Sequence, residues 1–213
     1  MHGKQFKMNV NELKDLAIDA ATQAGEFLNK SKLEKKEVYK EEGRDIKLII
    51  DQDTEKLIRS SLQKTGIPIL GEEYGGEISE EKYWVIDPID GTANYFRGLD
   101  ECCVSIALME GNQALIGVIY NFNNDQMYTA IKGHGAFLNN EKISVSDIAS
   151  KSKASITTGF PASESIESSM NFLEDLKGWK KVRMFGSAAL SCADVASGKC
   201  DYYSEKGVYI WDI

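Results

Sequence analysis

At 213 residues, 42% hydrophobic and 27% charged, the chain is long enough for one substantial core and too ordinary in composition for a disordered protein. Its 33 Asp and Glu against 25 Lys and Arg give a net charge of −8, which argues against a nucleic-acid binder, because phosphate contacts call for a basic stripe. A phosphate substrate is not excluded, since bound cations can supply positive charge locally.

The first predicted element is a helix from about Leu13 to Leu28, where Leu13, Leu16, Ala17, Ala20, Ala24, Phe27 and Leu28 recur at helical spacing. Lys30–Arg44 interleaves lysines with glutamates and reads as a solvated connector or hairpin. A second helix is expected to start at Asp51 or Asp53, either of which can cap it, with Leu57, Ile58 and Leu62 turned inward. IPIL (67–70) and YWVID (83–87) are short β-favouring runs that each lead to acidic residues. CCVSIALM, QALIGVIY and DQMYTAI, parted by Glu110-Gly111-Asn112 and Asn123-Asn124, predict consecutive antiparallel strands. GHGAFLNNEKI supplies bends and a further hairpin, with His134 structural.

Beyond it, Ile166, Met170, Leu173 and Leu176 fit one helical face, and Ala188–Ala196 reads as a small-residue helix stopped by Gly198. No repeat or linker divides the chain, so one domain spanning 1–213 is expected, a layered α/β (α+β) sandwich rather than a doubly wound parallel sheet. Cys102, Cys103, Cys192 and Cys200 form no C-x-x-C pair and no zinc pattern with His2 or His134. Buried free thiols in a reduced, cytoplasmic setting are the expectation. The opening MHGKQFKMNV has no signal-peptide core and no run approaches a membrane span, so no membrane partner is expected.

The chemistry concentrates in YWVIDPIDGTANYF, residues 83–96. A buried strand delivers Asp87 to its end, and Pro88 is expected to turn the chain there, because it lacks an amide donor. Asp90 follows, and Gly91-Thr92 opens a helical turn whose amides can donate to phosphate. Leu70-Gly71-Glu72-Glu73 places more carboxylates after a short strand, and Asp45 and Asp51, six apart around the apolar KLII, add acid before the second helix. Acids converging from several strand ends repel one another unless cations neutralise them, so a hard divalent ion such as Mg²⁺ is the economical partner.

Gly71-Glu72-Glu73, Trp84 through Thr92 and Trp211-Asp212, in this order and with D-x-x-x-x-x-D at 45–51 and GHGAF at 133–137, resemble the signatures of the inositol monophosphatase family along nearly the whole chain. The resemblance implies a layered α/β/α/β/α sandwich like that of fructose-bisphosphatase-like enzymes. It implies that Glu72, Asp87 and the carbonyl of Ile89 hold a first Mg²⁺, and that Asp87, Asp90 and Asp212 hold a second. A third, weaker ion near Glu72 and lithium sensitivity are family expectations. Gly91 and Thr92 would bind phosphate, with Thr92 and Asp51 helping to orient and deprotonate the attacking water. Asp90, Ser187, Ala188 and Glu205 would contact substrate hydroxyls, a carboxylate being able to accept two such bonds from a polyol.

The implied function is hydrolysis of a small phosphate monoester, inositol monophosphate or a related sugar phosphate. 3′-Phosphoadenosine 5′-phosphate, histidinol phosphate and fructose 1,6-bisphosphate stay open as substrates, as does a non-enzymatic interaction role for the fold. Similar enzymes are usually dimers, so a homodimer is expected. Family members continue past the position of Asp212, so a chain truncated at Ile213, without the helix that would hold Asp212, is also expected. Leu48 stands where the family favours a small or hydroxylated residue.

Overall fold

The computed structural model describes residues 8–32, 37–42, 45–160 and 170–212. Helix α1 runs Val10–Ser31, starting three residues before its apolar stripe. The Asn9 side chain caps it by accepting from the Asn11 and Glu12 amides at 2.9 and 3.1 Å, and the Glu12 carboxylate returns to the Asn9 amide at 2.7 Å. Such a capping box contributes about 1 kcal/mol. Alanine and glycine make up most of the buried face and let α1 lie close to the sheet beneath it. At Gly25 the approach is so tight that a Cβ would stand 2.6 Å from the Tyr120 ring.

Strands β1 (Val38–Glu42) and β2 (Asp45–Leu48) form the antiparallel hairpin expected of the charged connector. Helix α2 follows at Ile49–Leu62, which corrects the predicted start at Asp51 or Asp53. Asp51 lies within the first turn instead, and its carboxylate accepts the Leu48 amide at 2.7 Å, doing from inside the helix what a cap does from outside. Leu48, the anomalous residue of this stretch, is fully buried in the core.

The main sheet has seven strands in the order β3 (Ile69–Gly71), β4 (Lys82–Asp90), β5 (Cys103–Glu110), β6 (Gln113–Asn121), β7 (Gln126–Ile131), β8 (Gly135–Leu138) and β9 (Glu141–Ile143). All neighbours are antiparallel except β3 and β4. The β8–β9 turn uses Asn139 and Asn140 at φ 48° and 69°, the two successive left-handed residues that a tight hairpin favours. On one face α1 and α2 cover Trp84, Ile86, Ile106, Leu108 and Val118. On the other, α5 (Ala188–Ala196) packs Ala189, Leu190 and Ala193 on Cys103 and Tyr128.

Beyond α5 lies a three-stranded sheet in which β10 (Ser155–Thr157) runs parallel to β11 (Lys181–Arg183) on one side and β12 (Tyr202–Tyr203) on the other. The Thr157 hydroxyl meets that of Ser191 on α5 at 3.0 Å. Helix–sheet–helix–sheet layering makes the molecule a mixed α/β sandwich. The predicted helix around Met170 is present as α4 (Met170–Asp175), while Ile166 lies outside the described residues. All four cysteines are free, three of them buried. No helix of the described residues is long and apolar enough to cross a membrane.

Strand β4 does not end at Asp87, as its proline had suggested. It continues to Asp90 through a bulge, Asp87 pairing with Ser105 and Asp90 with Cys103, so that one residue of β4 is extra. The bulge accommodates Pro88, which has no ladder donor. It also has a chemical consequence. Residues three apart on a regular strand point to opposite faces, and the extra residue brings Asp87 and Asp90 round to one side.

Candidate active site: a carboxylate cavity at the end of β4

Glu72, Asp87, Ile89, Asp90, Gly91 and Thr92 line a cavity of about 250 Å³, closed from the opposite side by Phe160, Ser187, Ala188, Glu205, Trp211 and Asp212. Of the residues to which the resemblance assigns a role, Asp51 alone lies behind this lining, and it reaches forward through Thr92; Glu73 does not line the cavity either. Helix α3 (Thr92–Arg97) begins at the cavity wall with Gly91 at φ 88°. A Cβ on Gly91 would come within 2.8 Å of the Glu101 carbonyl, so steric room and backbone conformation both demand glycine here.

Asp87 is buried, and its Oδ1 accepts the Ile89 amide at 2.9 Å. Burial, and then the charges of Glu72, Asp90, Asp212 and Asp51, push its carboxyl well above the usual range. Four other acids bearing electrostatically on one buried acid is the crowding that a cation relieves. Asp90 is pushed up to about 6 by burial, opposed by donors at the N-terminus of α5. Its oxygens accept the Ala188 amide at 3.2 Å, the Ala189 amide at 2.9 Å and the Ser187 hydroxyl. Ser187 also caps α5, accepting from Leu190 at 3.2 Å. Ser187 and Ala188 thus have a role visible without substrate: they fix Asp90.

Thr92 lies with its hydroxyl 2.9 Å from the Ile89 carbonyl and 3.2 Å from Asp51 Oδ1. Burial raises the Asp51 carboxyl well above its ordinary value, countered mainly by the Leu48 amide. Glu205 is also raised by burial, and accepts the Tyr203 hydroxyl at 3.1 Å. Glu205 sits so close to the backbone of residue 159 that a Cβ there would be 2.2 Å from its Oε1. Asp212 accepts the Tyr209 amide at 2.6 Å, within a turn beside the stacked rings of Tyr209 and Trp211.

Glu72 is turned toward Lys47 of β2, whose ammonium lies 3.1 Å from it and 3.0 Å from Glu73. The loop carrying both glutamates is anchored by Glu55 and Arg59 of α2. The buried Glu55 carboxylate accepts the Glu73 amide at 2.7 Å, the Tyr74 amide at 3.2 Å and Arg59 Nε at 2.7 Å, while Arg59 also donates to the carbonyls of Ile69 and Gly75. Asn94 of α3 ties the Glu101 and Phe185 carbonyls together at 2.7 and 2.6 Å, joining the segment after α3 to the loop between β11 and α5. Sequence reasoning missed Lys47, Glu55, Arg59 and Asn94; the i, i+4 spacing of Glu55 and Arg59 was the one signal available.

Among the described residues, no three Asp, Glu, His or Cys side chains are drawn together closely enough to grip one ion as they stand. Each outer acid is instead satisfied by a protein donor: Glu72 by Lys47, Asp90 by α5, Asp212 by Tyr209. The donor set nevertheless fits Mg²⁺, being all oxygen, anionic and crowded around the buried Asp87. The side chain of Asp45 lies outside the described positions.

The family model described as the inositol monophosphatase family matches residues 9–213. A Xylella fastidiosa protein named Nus factor SuhB is 36% identical over 206 residues, covering 93% of this chain and 75% of the relative. Rat inositol monophosphatase 1 is 33% identical over 216 residues, covering 95% and 78%. Among solved structures, the extragenic suppressor protein suhB from Bartonella henselae superposes with a TM-score of 0.87 at 32% identity, over 93% of this chain and 80% of that one.

Proposed function

The chain belongs to the inositol monophosphatase family of phosphatase-type enzymes, and on that premise we propose that it is a Mg²⁺-dependent hydrolase of small phosphate monoesters, inositol monophosphate or a related sugar phosphate first among them. The observation that carries this reading is the buried Asp87, bulged onto the same side as Asp90 and pressed by the charges of four other acids at the edge of a cavity. Glu72, Asp87 and the Ile89 carbonyl would hold one Mg²⁺, and Asp87, Asp90 and Asp212 another. Bound there, Mg²⁺ supplies Lewis acidity and a water acidified toward neutral pH.

The remaining work falls to the chain. The Gly91 and Thr92 amides receive the phosphate at the start of α3. The Thr92 hydroxyl, paired with Asp51 at 3.2 Å, orients the attacking water, and the raised Asp51 carboxylate takes up the proton passed through Thr92. Glu205 accepts hydroxyl hydrogens of the substrate. The enzyme is read as cytoplasmic and homodimeric.

Phosphate release measured with inositol monophosphate, fructose 1,6-bisphosphate, histidinol phosphate and 3′-phosphoadenosine 5′-phosphate tests the substrate. Activity confined to the nucleotide would reject the polyol choice. A second reading, an interaction protein, draws on the relatives named Nus factor SuhB. Phosphate release at background by the native chain and Asp90→Asn alike would favour it, and equal release above background would mean that the acids do not drive the reaction.

A further inference from the structure

Lys47 projects from β2 into the acidic side of the site and makes ion pairs with Glu72 at 3.1 Å and Glu73 at 3.0 Å. It is an integral part of the packing. Its side chain is 22% exposed and that of Glu73 only 1%, and the Tyr39 hydroxyl holds the other oxygen of Glu73. Removing an ammonium from such a position leaves a buried carboxylate uncompensated. Lys47 is therefore anchored through Glu73, which is no proposed ligand, while it touches Glu72, which is. An ammonium in ion-pair contact with a carboxylate lowers the negative potential that a divalent ion would feel at the same oxygens. The ligand so affected is the one beside which a third, weaker ion was expected.

Resting on the metal-dependent reading above, we infer that Lys47 is a built-in cation which stands in for a divalent ion beside Glu72 and weakens divalent-ion binding at that carboxylate. The lysine supplies a fixed positive charge on this flank whether or not Mg²⁺ is abundant. The two ions proposed to share Asp87 would keep ligands that Lys47 does not contact, namely Asp90, Asp212 and the Ile89 carbonyl.

The test is calorimetric titration of the metal-stripped full chain with Mn²⁺, comparing the native protein with Lys47→Met, Lys47→Gln and Lys47→Arg. Both neutral variants are expected to bind Mn²⁺ about tenfold more tightly or to take up one further ion, while Lys47→Arg titrates like the native chain. Lys47→Gln retains a donor for both carboxylates, so it carries the test should Lys47→Met fail to fold. Unchanged affinity and stoichiometry in the neutral variants would overturn the role given to Lys47. Absence of Mn²⁺ binding by every chain, native included, would overturn the metal-dependent reading itself.

Discussion

The two walls of the cavity are built differently. The wall formed by β4, α2 and the start of α3 carries Asp51, Asp87 and Asp90, all buried, on elements that belong to the main core or abut it. The facing wall carries Glu205 and Asp212 on loops that follow a two-residue strand, in a sheet of three short strands. On the proposed reading most of the ion-holding acids are on the first wall, whereas the second carries Glu205, the proposed contact to substrate hydroxyls, together with the outlying ion ligand Asp212. A rigid chemical wall and an adaptable recognition wall make different predictions for substitution.

The largest effect is expected at Asp87. Asp87→Asn removes the acid shared between both proposed ions and is expected to lower kcat/KM by about 10³-fold or more, measured as initial rates of phosphate release. The same change relieves like-charge crowding around a buried carboxyl, so the metal-free variant should melt higher than the native chain, not lower. A fall in both activity and metal-free melting temperature would mean that Asp87 is a structural acid. Next comes Gly71→Ala, which tests the support beneath Glu72. A Cβ there would stand 2.2 Å from Glu55 Oε1, and Glu55 cannot retreat because two amides and Arg59 pin it. A loss of about 2–3 kcal/mol in urea unfolding is expected, with weakened divalent-ion affinity. Wild-type stability would show that the chemical wall is more plastic than its contacts suggest.

The pH dependence of the metal-free chain reports on the buried acids at a smaller scale. Asp90 is raised from 3.8 to about 6, and Asp87, Asp51 and Glu72 are raised as well, burial being the first cause in each. A raised carboxyl means that the folded state binds more protons than the unfolded one. Its contribution is fully present below the unfolded value of 3.8 and is lost as pH rises through about 6. The metal-free chain should therefore be more stable near about pH 5 than near about pH 8, by roughly 1–1.5 kcal/mol from Asp90 alone, because at pH 5 the unfolded carboxyl is already ionised while the folded one is still mostly protonated. Saturating Mg²⁺ should reverse the slope, because ligation needs the ionised form. Parallel melting curves with and without Mg²⁺ would disconnect these acids from the ion.

Much of the first wall was legible in the sequence because its elements announce themselves locally. The β-favouring runs between residues 102 and 131, parted by the Gly111 and Asn123-Asn124 turns, gave the meander, and D-P-I-D-G-T marked residues that line the cavity. What escaped was set by contacts rather than by pattern. Apolar periodicity marks the buried face of a helix and says nothing of its cap, so α1 and α2 both begin earlier than the stripe does. Pro88 reads as a stop in one dimension and proves to be a bulge once β5 is beside it. The pairing of Lys47 with Glu72 spans 25 residues, and that of Asp90 with Ala188 spans 98, distances that only topology can close.

The smallest effect is expected on the recognition wall, at Glu205. Its carboxylate is held by one hydroxyl, that of Tyr203, and lies against the bare backbone of Gly159, with nothing like the four donors (Ser187, Ala188, Ala189 and the Cys103 thiol) that fix Asp90. Glu205→Gln keeps the shape and one acceptor oxygen but loses the charge that strengthens a bond from a substrate hydroxyl. A charge-assisted bond is worth about 1.5–3 kcal/mol, and part survives in the amide, so kcat/KM for a polyol phosphate should fall about tenfold, mostly through KM. Melting temperature and inhibition by inorganic phosphate should hardly change, since neither engages this residue. A Cβ at position 159 would strike the Glu205 carboxylate, so Gly159→Ala should reproduce the KM defect by displacing the side chain. A kcat loss approaching that of Asp87→Asn would show that Glu205 belongs to the chemical wall and erase the division. An unchanged KM in both variants would remove Glu205 from recognition and leave substrate choice to the aromatic rim at Tyr209 and Trp211.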